Sequence, residues 1–149
     1  MSRVLLVCLL LWSVIILEAA PLQNKVNIMI SGKNYYISSS KCNWFEASNR
    51  CRQMGGFLLN LESKEELKFL TPYLHPALSY WISTNDLGVR HFYVSEATGI
   101  EAPFLDWSVG QPDNIEGNER CVELWPSTSS FQMNDLSCQR LVGFICQVN

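Results

Sequence analysis

This 149-residue sequence has few charged residues, and its 11 basic residues do not outnumber its 14 acidic residues. Charged side chains make up 17% of the chain, and the formal net charge is −3. A protein that binds nucleic acid needs a basic surface to neutralise phosphates, so no nucleic-acid partner is expected. The 48% hydrophobic content is too high for a disordered chain. A chain of this length without internal repeats fits one ordinary domain.

Hydrophobic runs long enough to span a membrane are also missing. The longest apolar stretch, residues 4–17, is interrupted only by Ser13 and is shorter than the roughly 20 residues of a membrane-spanning helix. Arg3 precedes this stretch, and the small residues Ala19 and Ala20 follow it, which is typical of a secretory signal peptide. We therefore predict a signal peptide over 1–20 and a secreted, extracellular domain over 21–149, with no membrane insertion after cleavage.

Cysteines at zinc-site spacing are absent, since the sequence has no Cys-x-x-Cys motif. Removal of Cys8 with the signal peptide leaves five cysteines in a domain that folds in an oxidising compartment, where disulfides form. These five are Cys42, Cys51, Cys121, Cys138 and Cys146. Two disulfides and one leftover thiol allow fifteen arrangements, five choices of thiol with three pairings each, so counting alone leaves the pairing open.

Two helix starts carry capping signals. Asn43 and Ser63 each precede a segment with helical periodicity, and each is followed three residues later by a glutamate that can complete a capping box. The first helix should end at Gly55–Gly56, and the second should end at Pro72. The sequence therefore predicts two short helices in the first half of the domain.

Short strands account for most of the remaining chain. The segments rich in β-branched and aromatic residues are 26–30, 34–38, 80–82, 91–94, 121–125 and 141–147. Residues 95–120 contain several glycines and prolines and form a long irregular segment, which in a compact domain is usually functional or disordered. Two early helices with late strands predict an α+β domain.

Oxygen-bearing side chains collect just before two of the cysteines. Residues 111–114 read Gln-Pro-Asp-Asn and are followed by Glu119 and Cys121, whereas Asn134–Asp135 precede Cys138. If these two cysteines pair, the carboxylates of Asp113, Glu119 and Asp135 and the amide carbonyls of Gln111 and Asn134 come to one place. Such a number of hard oxygen donors suits calcium, which takes six to eight oxygen ligands. Each segment alone is ordinary turn chemistry, so the prediction depends on their combination.

Together these features resemble the C-type lectin-like domain, and in particular the small secreted C-type lectins of insects. The similarity extends over nearly all of the chain after the signal peptide. The matching residues are Trp44, Ala47, Cys51, Gly55–Leu58, Trp81–Ile82, Trp107, Gln111–Asp113, Glu119, Cys121, Asn134–Asp135, Cys138 and Phe144–Cys146. The resemblance implies an α+β C-type lectin fold with two helices, antiparallel strands, a long irregular calcium-binding loop and two disulfides.

The resemblance also implies a disulfide pairing and a binding site. It pairs Cys51 with Cys146 and Cys121 with Cys138, and it makes Pro112 a cis-proline. The implied calcium ligands are Gln111, Asp113, Glu119, Asn134 and Asp135. The first four would also contact a sugar, two of whose neighbouring hydroxyl groups coordinate the ion. The amides would donate hydrogen bonds to those hydroxyls, and the carboxylates would accept them.

The Gln111–Asp113 segment has the Gln-Pro-Asp order of the galactose-type members. This order implies a bias toward glycans with terminal galactose or N-acetylgalactosamine over mannose. Ile115 stands where tight galactose binders place an aromatic ring, and Met133 replaces the tryptophan usual before Asn-Asp. No acidic set for a second calcium ion is evident, so Asp86 and Glu116 are expected to be solvated.

Cys42 has no partner in the implied pairing. It is either a partly buried thiol without a role or a bridge to a second chain in a homodimer. The expected function is that of a secreted, calcium-dependent carbohydrate-binding protein, a lectin, with roles that include innate immunity. The alternative is a module of the same fold that binds a protein partner instead of sugar. No enzymatic activity is expected, because calcium accounts for the acids and no nucleophile stands beside a base.

Overall fold

The two predicted helices are present in the computed structural model, which describes residues 25–128 and 130–149. The predicted signal peptide over 1–20 lies outside the described residues. Helix α1 spans Trp44–Gln53, and the side chain of its N-cap Asn43 accepts a hydrogen bond from the N–H of Glu46. Helix α2 spans Lys64–Leu70 and is capped in the same way by Ser63. Both N-cap predictions are confirmed, whereas the glutamates make other contacts: Glu46 accepts from Arg50, and Glu66 accepts the backbone N–H of Glu62.

The strands form one sheet of eight. They are β1 (Lys25–Ile30), β2 (Lys33–Cys42), β3 (Gly56–Leu58), β4 (Tyr80–Val89), β5 (Phe92–Ser95), β6 (Glu119–Pro126), β7 (Phe131–Ser137) and β8 (Val142–Val148). Their order is β1-β2-β8-β4-β6-β7, with β3 beside β8 and β5 beside β4. The α+β class is confirmed.

The prediction of antiparallel strands needs one correction. All neighbours pair antiparallel except β4 and β8, which run parallel with Tyr80 opposite Gly143 and Trp81 opposite Phe144. Parallel strands need a long connection, and the whole of β5, β6, β7 and their loops lies between these two. The parallel pair joins the half of the sheet that contains β1, β2, β3 and β8 to the half that contains the polar segments.

Two disulfides hold the domain together. Cys51 in α1 is bonded to Cys146 in β8, and their Cα atoms are 5.4 Å apart. Cys121 in β6 is bonded to Cys138 just after β7, with a Cα–Cα distance of 5.2 Å. All four cysteines are buried. The first disulfide ties the first helix to the last strand, and the second fixes the edge of the sheet where the polar residues collect.

The long segment between β5 and β6 is anchored on β7. The backbone N–H of Met133 donates to the carbonyl of Asp106 at 2.8 Å, and the N–H of Ser108 donates back to the Met133 carbonyl at 2.9 Å. The Met133 side chain is fully buried. Trp107 packs on the ring of Tyr93, with 4.7 Å between ring centroids. These contacts bring residues 111–119 next to the middle of β7.

None of the helices within the described ranges combines the length and the hydrophobicity that a membrane crossing requires.

Candidate functional site

Three carboxylates meet beside β7. Asp113 comes from the loop, Glu119 from the first position of β6, and Asp135 from β7. One oxygen of each lies within 4.8 Å of the oxygens of the other two. Asp113 is exposed, Glu119 is half-buried and Asp135 is fully buried. Mutual repulsion of three negative charges at this distance favours occupancy by a cation.

Asp135 shapes the loop that covers it. Its Oδ1 accepts the backbone N–H of Asp113 at 3.1 Å, and its Oδ2 accepts the N–H of Asn114 at 2.8 Å. Burial raises the pKa of this carboxyl, whereas the two backbone N–H groups oppose the rise by stabilising the charged form. The loop is therefore folded around the carboxylate, with a cluster of acidic oxygens at its centre.

A second pair of contacts closes the loop. The Glu119 N–H donates to Asn114 Oδ1 at 3.1 Å, and Glu119 Oε2 accepts the N–H of Ile115 at 3.0 Å. Asn114 and Glu116 adopt left-handed backbone conformations, with φ of 46° and 57°, which bend the chain tightly between the two acids. The Gln111–Pro112 peptide is cis.

The Glu119 carboxyl has a perturbed acidity. Burial raises its pKa to about 7, and the carboxylates of Asp135 and Asp113 add to this rise. The hydrogen bond from the Ile115 N–H acts in the opposite direction. A carboxyl with these neighbours gains a strong electrostatic partner when a cation enters the cluster.

The Gln111 side chain folds back on Asp113. Its Oε1 accepts the Asp113 N–H at 3.1 Å, and its Nε2 donates to Asp113 Oδ2 at 3.2 Å. Both side chains lie at the loop surface, so these two groups can exchange their mutual contacts for a ligand. The structure thus places Gln111 next to the acidic cluster.

Asn134 makes a different contact. It is nearly fully buried on β7, and its Nδ2 donates to Oε1 of the equally buried Glu123 at 3.0 Å. Burial raises the pKa of Glu123, and the contact with Asn134 opposes this rise. Sequence reasoning missed Glu123, because its partner Asn134 lies on a neighbouring strand that was not predicted. A glutamate inside the predicted strand 121–125 is the signal that could have identified it.

Asp86 is not solvated, so that prediction is wrong. The residue is 2% exposed in β4, and its Oδ1 accepts a hydrogen bond from Arg120 Nε at 2.6 Å. Its other carboxylate oxygen accepts the N–H of His91 at 2.7 Å. Asp86 can be buried because Arg120, which follows Glu119, neutralises its charge. The two residues are far apart in the sequence, so this pairing could not be predicted. Glu116 is exposed, as predicted.

Cys42 is a free thiol with only 1% of its surface exposed. Burial raises its pKa to about 11, which keeps the sulfur protonated and unreactive. A bridge to a second chain would require this part of the domain to open. Of the two alternatives, the structure therefore favours the buried thiol.

The donor set of the cluster fits a hard cation. Three carboxylates and the amide oxygen of Gln111 are oxygen donors of the kind that calcium takes, and no thiol or imidazole belongs to the group. The family Lectin C-type domain matches residues 40–148. The chain belongs to the C-type lectin domain family. Domains of this family generally depend on calcium, in agreement with the acidic cluster.

Relatives of this domain are found in invertebrates. C-type lectin 37Db of Drosophila melanogaster is 65% identical over 149 residues, which are 100% of this chain and 99% of that protein. Perlucin of Haliotis laevigata is 33% identical over 116 residues, which are 76% of this chain and 74% of the relative.

Solved C-type lectin domains share the fold. The carbohydrate-recognition domain of the mouse scavenger receptor C-type lectin has a TM-score of 0.74 at 27% identity, covering 81% of this chain and 91% of that one. The domain of cow CD23, solved in the presence of a GlcNAc2Man3 oligosaccharide, has a TM-score of 0.72 at 26% identity with the same coverage. The predicted C-type lectin fold is confirmed.

Proposed function

We propose that the protein is a secreted, calcium-dependent lectin that binds glycans with terminal galactose-type sugars. The observation that carries this proposal is the cluster of Asp113, Glu119 and Asp135, whose oxygens lie within 4.8 Å of one another in a loop folded around Asp135. Membership of the C-type lectin family and the oligosaccharide present with the cow CD23 domain support sugar as the ligand. The apolar N-terminal segment supports secretion.

The residues of the site would have different roles in binding calcium and sugar. Asp113, Glu119 and Asp135 would hold calcium together with the amide oxygens of Gln111 and Asn134. Bound calcium supplies a positive centre to which two neighbouring sugar hydroxyl groups can coordinate. Gln111 and Asn134 would donate N–H groups to those hydroxyls, while Asp113 and Glu119 accept their O–H groups. Asp135, fully buried below the loop, would serve the metal alone.

The proposed galactose bias is supported by the Gln-Pro-Asp order of residues 111–113, which resembles the galactose-type members of the family. In this order Gln111 supplies the amide donor and Asp113 the carboxylate acceptor, and the two side chains lie in contact in the loop. Replacing Gln111 by glutamate and Asp113 by asparagine would reverse donor and acceptor while keeping the shape of each side chain. Ile115 is 58% exposed beside this loop and offers an apolar surface, but no aromatic face, to the sugar. The selectivity is therefore expected to be moderate.

Retention on immobilised sugar tests the proposal. The mature protein should be retained on galactose–agarose in millimolar calcium, be released by EDTA, and be retained less on mannose–agarose. The double variant Gln111→Glu with Asp113→Asn should transfer retention to mannose, because it exchanges donor and acceptor at the two positions. Glu116→Gln, which removes an exposed acid from the same loop, should behave like the wild type.

Each other outcome has a definite meaning. Equal retention of wild type and double variant on mannose would keep the calcium site and refute the galactose bias. Folded, calcium-loaded protein that neither column retains, even at high density of immobilised sugar, would contradict the lectin proposal. That result would favour the alternative, a C-type lectin domain that binds a protein partner.

Acid is expected to weaken calcium binding. With its pKa near 7, the Glu119 carboxyl must release a proton before it binds a cation. The calcium dissociation constant should therefore rise below about pH 7, approaching tenfold per pH unit, with release of about one proton per ion. Calorimetric titrations across this range, in buffers of different ionisation enthalpy, measure both quantities.

Glu119→Gln is the control for this dependence. It should bind calcium weakly at every pH, without the proton release. In the metal-free wild type, acid has the opposite effect and stabilises the fold. Because the pKa of Glu119 in the folded state lies above the ordinary value of 4.5, the stability that this group contributes is complete below pH 4.5 and is lost as pH rises through about 7. A wild-type calcium affinity that stays constant between about pH 5.5 and 8.5 would contradict the prediction.

A further inference from the structure

A buried ion pair joins the β4–β5 hairpin to the residue that follows Glu119. Arg120 Nε donates to Asp86 Oδ1 at 2.6 Å, and a second guanidinium N–H of Arg120 donates to the backbone carbonyl of Asp86. The remaining carboxylate oxygen of Asp86 accepts the His91 N–H at 2.7 Å. Asp86 is therefore held through both side-chain oxygens and through its own backbone, while its side chain is 2% exposed.

The strand pairing is irregular at these two residues, although their neighbours Asn85 and Cys121 lie opposite each other. On β6, Glu119 lies opposite Ser137 and Cys121 opposite Leu136, so Arg120 is an extra residue in the ladder. On β4, the pairing with β5 is irregular between Asn85 and Val89, the stretch that contains Asp86. Extra residues of this kind bend a strand and redirect its side chains. The ion pair connects these two irregular places in the sheet.

A second contact links the same hairpin to the loop. Arg90, between β4 and β5, donates from its guanidinium to the carbonyl of Gly117 at 3.1 Å. The hairpin thus holds the loop on both sides of Glu119, at Gly117 and at Arg120. The contact of Arg90 is exposed and adds little, whereas that of Arg120 is shielded by the burial of Asp86.

We propose that Asp86 and Arg120 are a positioning pair that sets the direction of the Glu119 carboxylate and thereby the calcium affinity of the cluster. This inference rests on the proposed calcium site. A rigid planar guanidinium with two bonds to one residue fixes the backbone at Arg120, and so the start of the Glu119 side chain one residue earlier. Asp86 also neutralises Arg120, which otherwise would add a positive charge next to a cation site.

Calcium affinities of matched variants test this pair. Asp86→Asn and Arg120→Gln should each raise the calcium dissociation constant about 10-fold or more, as loss of outer partners does at other metal sites. The double variant should have a calcium dissociation constant no higher than that of the single variant that binds calcium more weakly, because the two residues act as a unit. Arg52→Gln breaks a more exposed ion pair, with Glu96 at the start of the segment between β5 and β6 and outside residues 111–119, and it should leave the calcium affinity unchanged.

The Arg120→Gln variant separates positioning from charge. Removal of a positive charge near a cation site should tighten calcium binding if electrostatics alone mattered, so wild-type or tighter affinity overturns the inference. If the wild type binds no calcium, the proposed function is refuted. If the wild type binds calcium and all variants have the same calcium affinity, only this inference is refuted. If Asp86→Asn fails to fold, Arg120→Lys tests the inference, because lysine keeps the positive charge but lacks the planar guanidinium that makes two bonds to Asp86. Weaker calcium binding by this variant supports positioning, and unchanged binding overturns it.

Discussion

Replacing Asp135 by asparagine is expected to lower the calcium affinity about 100-fold or more and to abolish retention on galactose–agarose. Loss of an outer partner at a metal site alone reduces affinity 10- to 100-fold, and Asp135 is proposed as a direct ligand. Its carboxylate is fully buried and accepts the N–H groups of Asp113 and Asn114, so it both binds the cation and shapes the loop. Asparagine has one acceptor oxygen and no charge, so it can do neither completely.

Stability measurements with and without calcium distinguish loss of the site from loss of the fold. Asp135→Asn should unfold several degrees below the wild type in EDTA but still fold, because one hydrogen bond from the loop to a charged acceptor, worth about 1.5–3 kcal/mol, is lost. Calcium should raise the unfolding temperature of the wild type but not that of the variant. Glu116→Gln, an exposed acid of the same loop, should keep the full calcium effect. A variant that calcium still stabilises by the wild-type amount would show that Asp135 is not a ligand.

Local signals in the sequence predicted the helices well. Asn43 and Ser63 are recognisable as caps because the contacts that they make lie three residues away in the chain. Strands β3 and β7 were not predicted. Strand β3 has only three residues, and β7 carries a polar run around Asn134 that does not have the pattern of a strand. Both are strands because neighbouring strands supply partners, which is tertiary information.

The residues of the candidate site could also be predicted only in part. Gln111, Asp113, Glu119, Asn134 and Asp135 were chosen by their resemblance to a family motif, and the structure brings the three acids together with Gln111 beside them. Their roles as ligands stay a prediction. The contacts of Asp86 and Glu123 behind the site could not be predicted, because the residues that they contact are distant in sequence or in the opposite strand.

Removal of the Cys51–Cys146 disulfide is expected to have the largest effect on stability. The disulfide closes a loop with a sequence separation of 95, for which the chain-entropy model gives about 4.7 kcal/mol of stabilisation. The Cys121–Cys138 disulfide closes a separation of 17 and should contribute about 3 kcal/mol. Since a typical domain is stable by only about 5–15 kcal/mol, loss of the first disulfide leaves a marginal fold.

The two disulfides should differ in their effect on function as well as on stability. The double variant Cys51→Ala with Cys146→Ala should unfold at a much lower denaturant concentration, yet its folded fraction should bind calcium with wild-type affinity, because this disulfide lies between α1 and β8. The double variant Cys121→Ala with Cys138→Ala should lose less stability but bind calcium more weakly, because this disulfide joins the ends of the segment that carries Asp135. Denaturant titration and calorimetry on both variants test this reversal. The same rank order in stability and in calcium affinity would contradict it.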